Sequence, residues 1–508
     1  MVVLALLLFI QVKALHSQNV YISTSDPVNA GIEELLARGY LHGLSPAEKP
    51  WKVSEIVNGI RDDEQRFDDH SRIIAGDILR ILKPPQRKLR ASAGLEAGID
   101  IRGLSSERRE GYFIRRGRYI PRGFKNEFGS VYRAGWWYSR DDLWGIDTRL
   151  LIDSDGTDYP WYYGRPRNAR IIVQFDHAYA AFKLGMFDIT LGRQRMIRGP
   201  SPRGSLILDD GSPPMDMARF GVRVAPFRLS WFGARLDDTF NPDIVSYERR
   251  YLSGHRLSLN NGSGWELGVS ETVLYGGAER LPEIYYNIPV LLYYWEAHNH
   301  IVDDNVFWTV DFSWAKSGLG RFYTQFVADD IQYENNGPQK FAFQIGSYLM
   351  PNKYPKWSAL IEYNMADTYV YGQRQWRNLY RHWGYPIARL GSDQYEIFAG
   401  IYRHLISNIK TGVEYNRRGK GEYNSDMLQV DIIPPTPKFP SGIVEVIDDI
   451  RITFKHNSPE RLDFNFSAGY QTINNYRNIS DSSLSQYYAT IDISYTFGMG
   501  LPFWMKYH

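Results

Sequence analysis

Two stretches of this 508-residue sequence concentrate the side chains that do chemistry on a ligand. The first, residues 371–389, reads "YGQRQWRNLYRHWGYPIAR". Helical spacing predicts Arg374, Arg377 and Arg381 on one face and Trp376, Leu379, Tyr380 and Trp383 on another. Sugar rings pack their apolar C–H faces on Trp and Tyr, and carboxylate or phosphate groups pair with guanidinium forks. A chain-like acidic glycan would use both. The plainer reading is a loop helix seated by its aromatics, with the arginines merely solvated.

The second stretch, residues 192–217, reads "GRQRMIRGPSPRGSLILDDGSPPMDM". It starts as a strand, breaks at Gly199-Pro200, recovers briefly as "SLIL" and ends in acid, proline and methionine. Arg193, Arg195 and Arg198, with Asp209 and Asp210, offer a second glycan contact. Alternatively, the acids and arginines cross-pair to hold a folded loop. A third basic run, residues 102–123, carries Arg102, Arg108, Arg109, Arg115, Arg116, Arg118 and Arg122. It suits an anionic polysaccharide or, more plainly, the phosphates of lipopolysaccharide.

Signals for catalysis or metal are thin. In "EAHNHIVDD", His298 and His300 on a strand would project to one side as zinc ligands near Asp303 and Asp304, but no third ligand is specified. "DSDGTD" sets Asp153, Asp155 and Asp158 as in a calcium loop, without the closing glutamate. GxSxG, HExxH and phosphate-loop patterns are missing from the sequence. We therefore assign no catalytic residue, no metal and no cofactor. The net charge of +2 gives no global polyanion signal, and no nucleic-acid partner is expected. The lack of cysteine excludes a disulfide scaffold and a Cys-ligated metal.

These side chains need elements to position them. The N-terminus, "MVVLALLLFIQVKALHSQ", is apolar from Val2 to Ile10 and then turns small and polar. That plan reads as a secretory signal peptide over residues 1–17. Residues 18–86 form a separate helical unit. Asp26 is placed to cap its first helix, Ile32, Leu35, Leu36 and Tyr40 share a face, and Gly39 and Gly43 close it. Two further short helices follow before Pro84-Pro85.

From Arg87 to the end, residues 87–508, the period changes to two. Leu89, Ala91, Ala93, Leu95, Ala97, Ile99 and Ile101 alternate with Arg90, Ser92, Gly94, Glu96, Gly98, Asp100 and Arg102. The pattern recurs at 144–152, 306–314, 462–471 and 487–497. A soluble sandwich alternates too, but these strands reach ten residues or more, and aromatics gather near their ends. Connections also alternate: short turns such as "NNGSG", "KSGLG" and "NSPER" fall between long loops near 198–218, 275–305, 366–393 and 418–446. That is the plan of an all-β transmembrane barrel of about eighteen antiparallel strands.

The segments "DPVNAGIEELLARGYLHGLSPAEKPWKVSEI" and "LGRQRMIRGPSPRGSLILDDGSPPMDM" resemble the capsule assembly Wzi family of outer-membrane proteins. The chain differs from that family's pattern in having Arg198 in place of Trp, Ser201 in place of Gly, and Asp209-Asp210-Gly211 in place of a Ser/Asn-rich turn. The resemblance implies an eighteen-stranded outer-membrane barrel, with the small helical unit on the periplasmic side and the long loops outside. It also implies a lectin-like role, binding and anchoring exported capsular polysaccharide at the surface. The expected ligand contacts are then Arg193, Arg195, Arg198, Asp209, Asp210, Trp376, Arg377, Tyr380, Arg381 and Trp383. Surface polysaccharide, outer-membrane lipid, lipopolysaccharide and other surface-assembly proteins are the expected partners. The rival readings are a porin or polysaccharide-export channel, an outer-membrane hydrolase acting through His298 or His300, and a structural subunit of a surface complex.

Overall fold

The computed structural model describes residues 20–82, 91–115, 118–121, 126–140, 143–154, 171–299, 304–329, 340–423, 438–458 and 461–503. The expected signal peptide lies outside the described residues, as do Arg116, Arg122, Asp155, Asp158, His300 and Asp303.

Among the described residues, eighteen long strands close into one antiparallel barrel. In chain order they are β1 (Ala91–Ser106), β2 (Asn126–Arg140), β3 (Trp144–Asp153), β4 (Ile172–Leu184), β5 (Phe187–Gln194) and β6 (Met215–Val224). Then come β7 (Phe227–Arg235), β8 (Ser246–Asn260), β9 (Trp265–Gly277), β10 (Asn305–Lys316), β11 (Gly320–Asp329) and β12 (Phe341–Leu349). The last are β13 (Trp357–Ala366), β14 (Gln394–Ile406), β15 (Ile409–Lys420), β16 (Glu445–His456), β17 (Leu462–Asn474) and β18 (Ser483–Phe503). Each pairs with its chain neighbours, and β18 closes on β1 from Ala91↔Phe503 to Ser106↔Tyr488. The tail after Phe497 therefore extends the last strand as far as Phe503.

The wall is polar inside and apolar outside. In β10, Asp311 and Ser313 are buried while Val310, Phe312 and Trp314 are exposed. Exposing the apolar set is costly in water but favourable in hydrocarbon, and closure leaves no edge with unpaired backbone. Short turns and long loops alternate at opposite rims, as expected from the sequence.

The N-terminal unit holds three helices: α1 (Val28–Ala37), α2 (Val53–Asp62) and α3 (Asp69–Leu82). Asp26 Oδ1 accepts from the Val28 N–H at 3.0 Å, the expected cap. Gly39 ends α1 at φ +80°, and a Cβ there would lie 3.0 Å from the backbone nitrogen of Ser317, in the short turn after β10. The helices build their own core from Ile32, Leu35, Trp51, Ile56, Ile74 and Ile78. This unit sits within the short-turn end of the barrel. Arg321 of β11 pairs with Glu33, Asn260 of β8 donates to the His42 carbonyl at 3.0 Å, and Ser45 donates to Glu266 of β9 at 2.6 Å.

Candidate functional site

Two inward-folded loops, residues 195–214 and 367–393, pack against each other inside the long-loop half of the barrel. They are the two stretches singled out for their chemistry. Leu206, Ile207 and Leu208, the "SLIL" segment, pack with Phe232, Phe307, Val370, Tyr371 and Tyr380 in one buried cluster. Tyr380 donates its hydroxyl to the Ile207 carbonyl at 2.7 Å, and the N–H of Asp209 donates to the Ile387 carbonyl at 2.9 Å.

The first loop is also joined to the helical unit. Glu48 and Lys49 form a two-residue ladder with Ile197 and Arg198. Arg198 is buried, its guanidinium 4.7 Å from the centre of the Phe232 ring and its Nη2 donating to Ser230 at 3.2 Å. Burial lowers its pKa to about 10, against the opposing charge of Glu48. Glu48 is desolvated as well, but the charges of Arg228, Arg256 and Arg198 outweigh this and hold its carboxyl down at about 2. Arg195, partly buried, lies between Asp176 (3.4 Å) and the Asp210 carbonyl (3.1 Å). Asp209 turns its carboxylate back on its own loop, accepting from the Ser205 N–H at 3.2 Å.

The sequence groups Arg193 with Arg195 and Arg198 as one contact, but Arg193 lies on the other side of the wall. Asp188 and Thr190 of β5 point inward to the helical unit, meeting Lys52 and Tyr21, so Arg193 shares the outer face with the exposed Leu191. There it grips Asp216 of β6 through two bonds of 2.7 Å. Arg193 and Arg195 thus pair with Asp216 and Asp176, acids outside the group that the sequence put together.

The 367–393 loop is not the expected helix. It contains a three-residue 3₁₀ turn, Trp376–Asn378, and a two-residue ladder, Arg381–His382 with Tyr385–Pro386. The reason lies in a residue the sequence did not flag. Arg250 of β8, fully buried, donates to the carbonyls of Arg377 (2.8 Å), Leu379 and Arg381 (2.9 Å) and pairs with Asp237 at 3.2 Å. Alternate carbonyls turned to one side require extended backbone, whereas a helix points every carbonyl along its axis. "ERRYL" around Arg250 was the available signal, but its partners are main-chain atoms far along the chain.

Outside this anchor the loop presents the mouth surface. Trp383 is 46% exposed and Arg374 is exposed, while Trp376, Arg377 and Arg381 are half-buried. Arg377 pairs with Glu248 at 3.0 Å. Tyr380 belongs to the packed cluster beneath, not to this surface. His382 lies 3.0 Å from Asp237. Burial would raise the Asp237 carboxyl, but the His382 hydrogen bond and the Arg250 charge lower it. Below the mouth, Arg203 sits 3.6 Å over the Phe398 ring and bridges Glu362 and Glu396 at 3.1 Å each, and Arg389 joins Glu396 at 2.9 Å.

The remaining candidates are placed differently. Arg102 pairs with Asp153 at 3.2 Å, which uses one basic residue and one member of the "DSDGTD" turn. His298 lies on a short helix, α4 (Tyr293–Asn299), instead of a strand. Asp304 is held by Arg280. Glu34, His70 and His404 place ligand-type atoms within 4.8 Å of one another. However, Arg38 (2.9 Å) and Lys410 (3.3 Å) already compensate the Glu34 carboxylate, so the cluster works as a tether between α1, α3 and the wall.

Comparison with known proteins agrees with this architecture. The Escherichia coli protein Wzi, described as an outer-membrane protein involved in group 1 capsule assembly and a carbohydrate-binding β-barrel, superposes with a TM-score of 0.63. It is 15% identical, over 96% of this chain and 100% of that one. Pseudomonas aeruginosa OpdO (TM-score 0.47, 9% identity, 80% of this chain and 97% of that one) and OprD (0.45, 7%, 80% and 95%) are more distant. No curated protein sequence matches the chain. The family model for capsule assembly protein Wzi matches residues 143–483, well over half of the sequence and both inward loops included, and the chain belongs to that family.

Proposed function

We propose that this chain is an outer-membrane protein that binds and anchors exported acidic polysaccharide at the cell surface, without catalysis. The observation that carries this reading is the obstruction of the lumen from both ends, which leaves a cavity of about 620 Å³ between the helical unit and the wall. Helices occupy the short-turn half and packed loops the other, so the molecule offers a surface in place of a pore. In this reading the short-turn rim faces the periplasm and the mouth faces outward. Trp376 and Trp383 receive sugar faces, and Arg377 and Arg381 pair with uronate or phosphate groups. The carbohydrate binding described for the E. coli relative supports the same class of ligand.

The test is co-sedimentation of the detergent-purified protein with capsular polysaccharide from the same cell, comparing wild type with a Trp376, Arg377, Arg381 and Trp383 quadruple alanine variant. Loss of binding in a variant that still shows heat-modifiable mobility supports the assignment. Unchanged binding removes this loop from the site.

A further inference from the structure

Residues 278–299 of the connection from β9 to β10 do not join the two inward-folded loops. They turn over the rim and lie on the outside of the wall. In β8, Arg256 points into the lumen, where it meets Asp311 and Glu266. By alternation Tyr251, Ser253, His255 and Leu257 point outward, opposite Tyr275, Val273, Glu271 and Val269 of β9. On this one outer face Leu257 and Val269 are 50% and 42% exposed, but His255 and Glu271, one pair further up, are 8% and 1% exposed.

The connection supplies the cover. The Glu271 carboxylate accepts the N–H groups of Tyr293 (2.8 Å) and Tyr294 (3.3 Å), and the His255 ring lies 4.4 Å from that of Tyr293. Trp231 of β7 donates to the Tyr286 carbonyl at 3.3 Å, and Tyr294 meets Trp308 of β10 edge-on. Arg280 and Asp304, near the two ends, clasp each other. The strap's own outer side is apolar: Leu281, Ile284, Val290, Leu292 and Trp295 are exposed, Ile284 by 78% and Val290 by 72%. The run Ile284–Trp295 contains no charged residue.

We propose that residues 281–295 form an interfacial strap whose outer side is seated in the acyl chains of the lipid leaflet at the long-loop rim. This rests on the membrane reading above. The occupant is lipid because the strap continues the exposed apolar belt of Leu257, Val269, Val310 and Phe312 and, from Ile284 to Trp295, lacks the charge a water-facing loop carries, Glu283 being paired with Arg280. Its inner side shields the His255–Glu271 pair, which hydrocarbon would not tolerate uncovered.

The chain has no cysteine, so single thiols report alone. Ile284→Cys, Val290→Cys and, on the wall, Val310→Cys are each labelled with a polarity-sensitive fluorophore. The full-length variants, screened for heat-modifiable mobility, are reconstituted in phosphatidylcholine vesicles with or without acyl-chain bromines. Strap labels quenched at least twofold by brominated lipid and unaffected by iodide support the proposal. Iodide quenching of both strap labels overturns it. So does pyrene excimer emission from the same positions, which would put a second copy there. If the Val310 label alone is quenched by brominated lipid, the strap inference fails by itself; if no label is, the membrane reading falls too.

Discussion

The Nε of Arg250 donates to the carbonyl of Arg377 at 2.8 Å, so a wall strand grips the mouth loop by its main chain. Replacing Arg250 with Met keeps most of the volume and orphans these carbonyls, at about 1–3 kcal/mol for each that stays buried. Trypsin added to the folded variant should cut after Arg374, Arg377 or Arg381 while leaving the barrel whole, as read by mass spectrometry. A loop as resistant as wild type would show that the cluster beneath it holds it unaided.

Tyr380 and Trp383 should separate stability from recognition. Tyr380→Phe removes the bond to Ile207 and should cost about 1 kcal/mol in denaturant unfolding, with polysaccharide binding intact. Trp383→Ala, on the exposed tip, should stay within about 0.5 kcal/mol of wild type but bind polysaccharide several-fold more weakly. The reverse pattern would place the contact surface elsewhere.

Acid should loosen the helical unit before it opens the barrel. Burial pushes the Glu34 carboxyl up, but the Lys410 charge and the bonds from His404 and His70 hold it well below the usual carboxylate range. Glu48 is held at about 2. Groups with depressed folded-state pKa stabilise above the unfolded value, near 4.5, and lose that contribution as pH falls through the folded value. Pepsin should therefore leave residues 20–82 intact at pH 5 and cleave them near pH 2, a region where the strands stay resistant. Equal cleavage at both values would rule out this linkage.

A lumen obstructed from both ends should not conduct. Wild-type protein in planar bilayers is expected to show no stable open level. Replacing Arg321 and Lys410 together with Met strips Glu33 of its wall partner and leaves Glu34 only His404 there, and breaking a buried pair in this way costs about 3–5 kcal/mol. Transient current steps should then appear. A steady conductance in the wild type would favour the channel reading.

The barrel was legible because its signal is local. Alternation in β10, where Val310 and Phe312 face out while Asp311 and Ser313 face in, is written in adjacent residues, and the turn lengths followed from the same pattern. The candidate site was legible in composition only. Trp376, Arg377, Arg381 and Trp383 lie at the mouth while Tyr380 packs beneath it, and the helix expected there depended on spacing alone. Its backbone is set instead by Arg250, more than a hundred residues earlier in the chain. The outward placement of Arg193 needed the register of β5 against β6, which no single strand reveals. The strap over His255 and Glu271 was hidden for a similar reason, since nothing in "LPEIYYNIPVLLYYW" states which side of the wall it covers.

The ladder between Glu48–Lys49 and Ile197–Arg198 has an evolutionary corollary. A connection between barrel strands ordinarily tolerates insertions, because its middle is solvated and its ends are fixed by the wall. Here the middle is pinned to a segment from the start of the chain and, through the Arg389 N–H bond to the Ser205 carbonyl at 2.8 Å, to another connection. Gaining or losing even one residue between Gln194 and Met215 would throw both attachments out of step. That stretch should keep its length across relatives as faithfully as a core strand, and sites for displayed epitopes are better sought in the other connections.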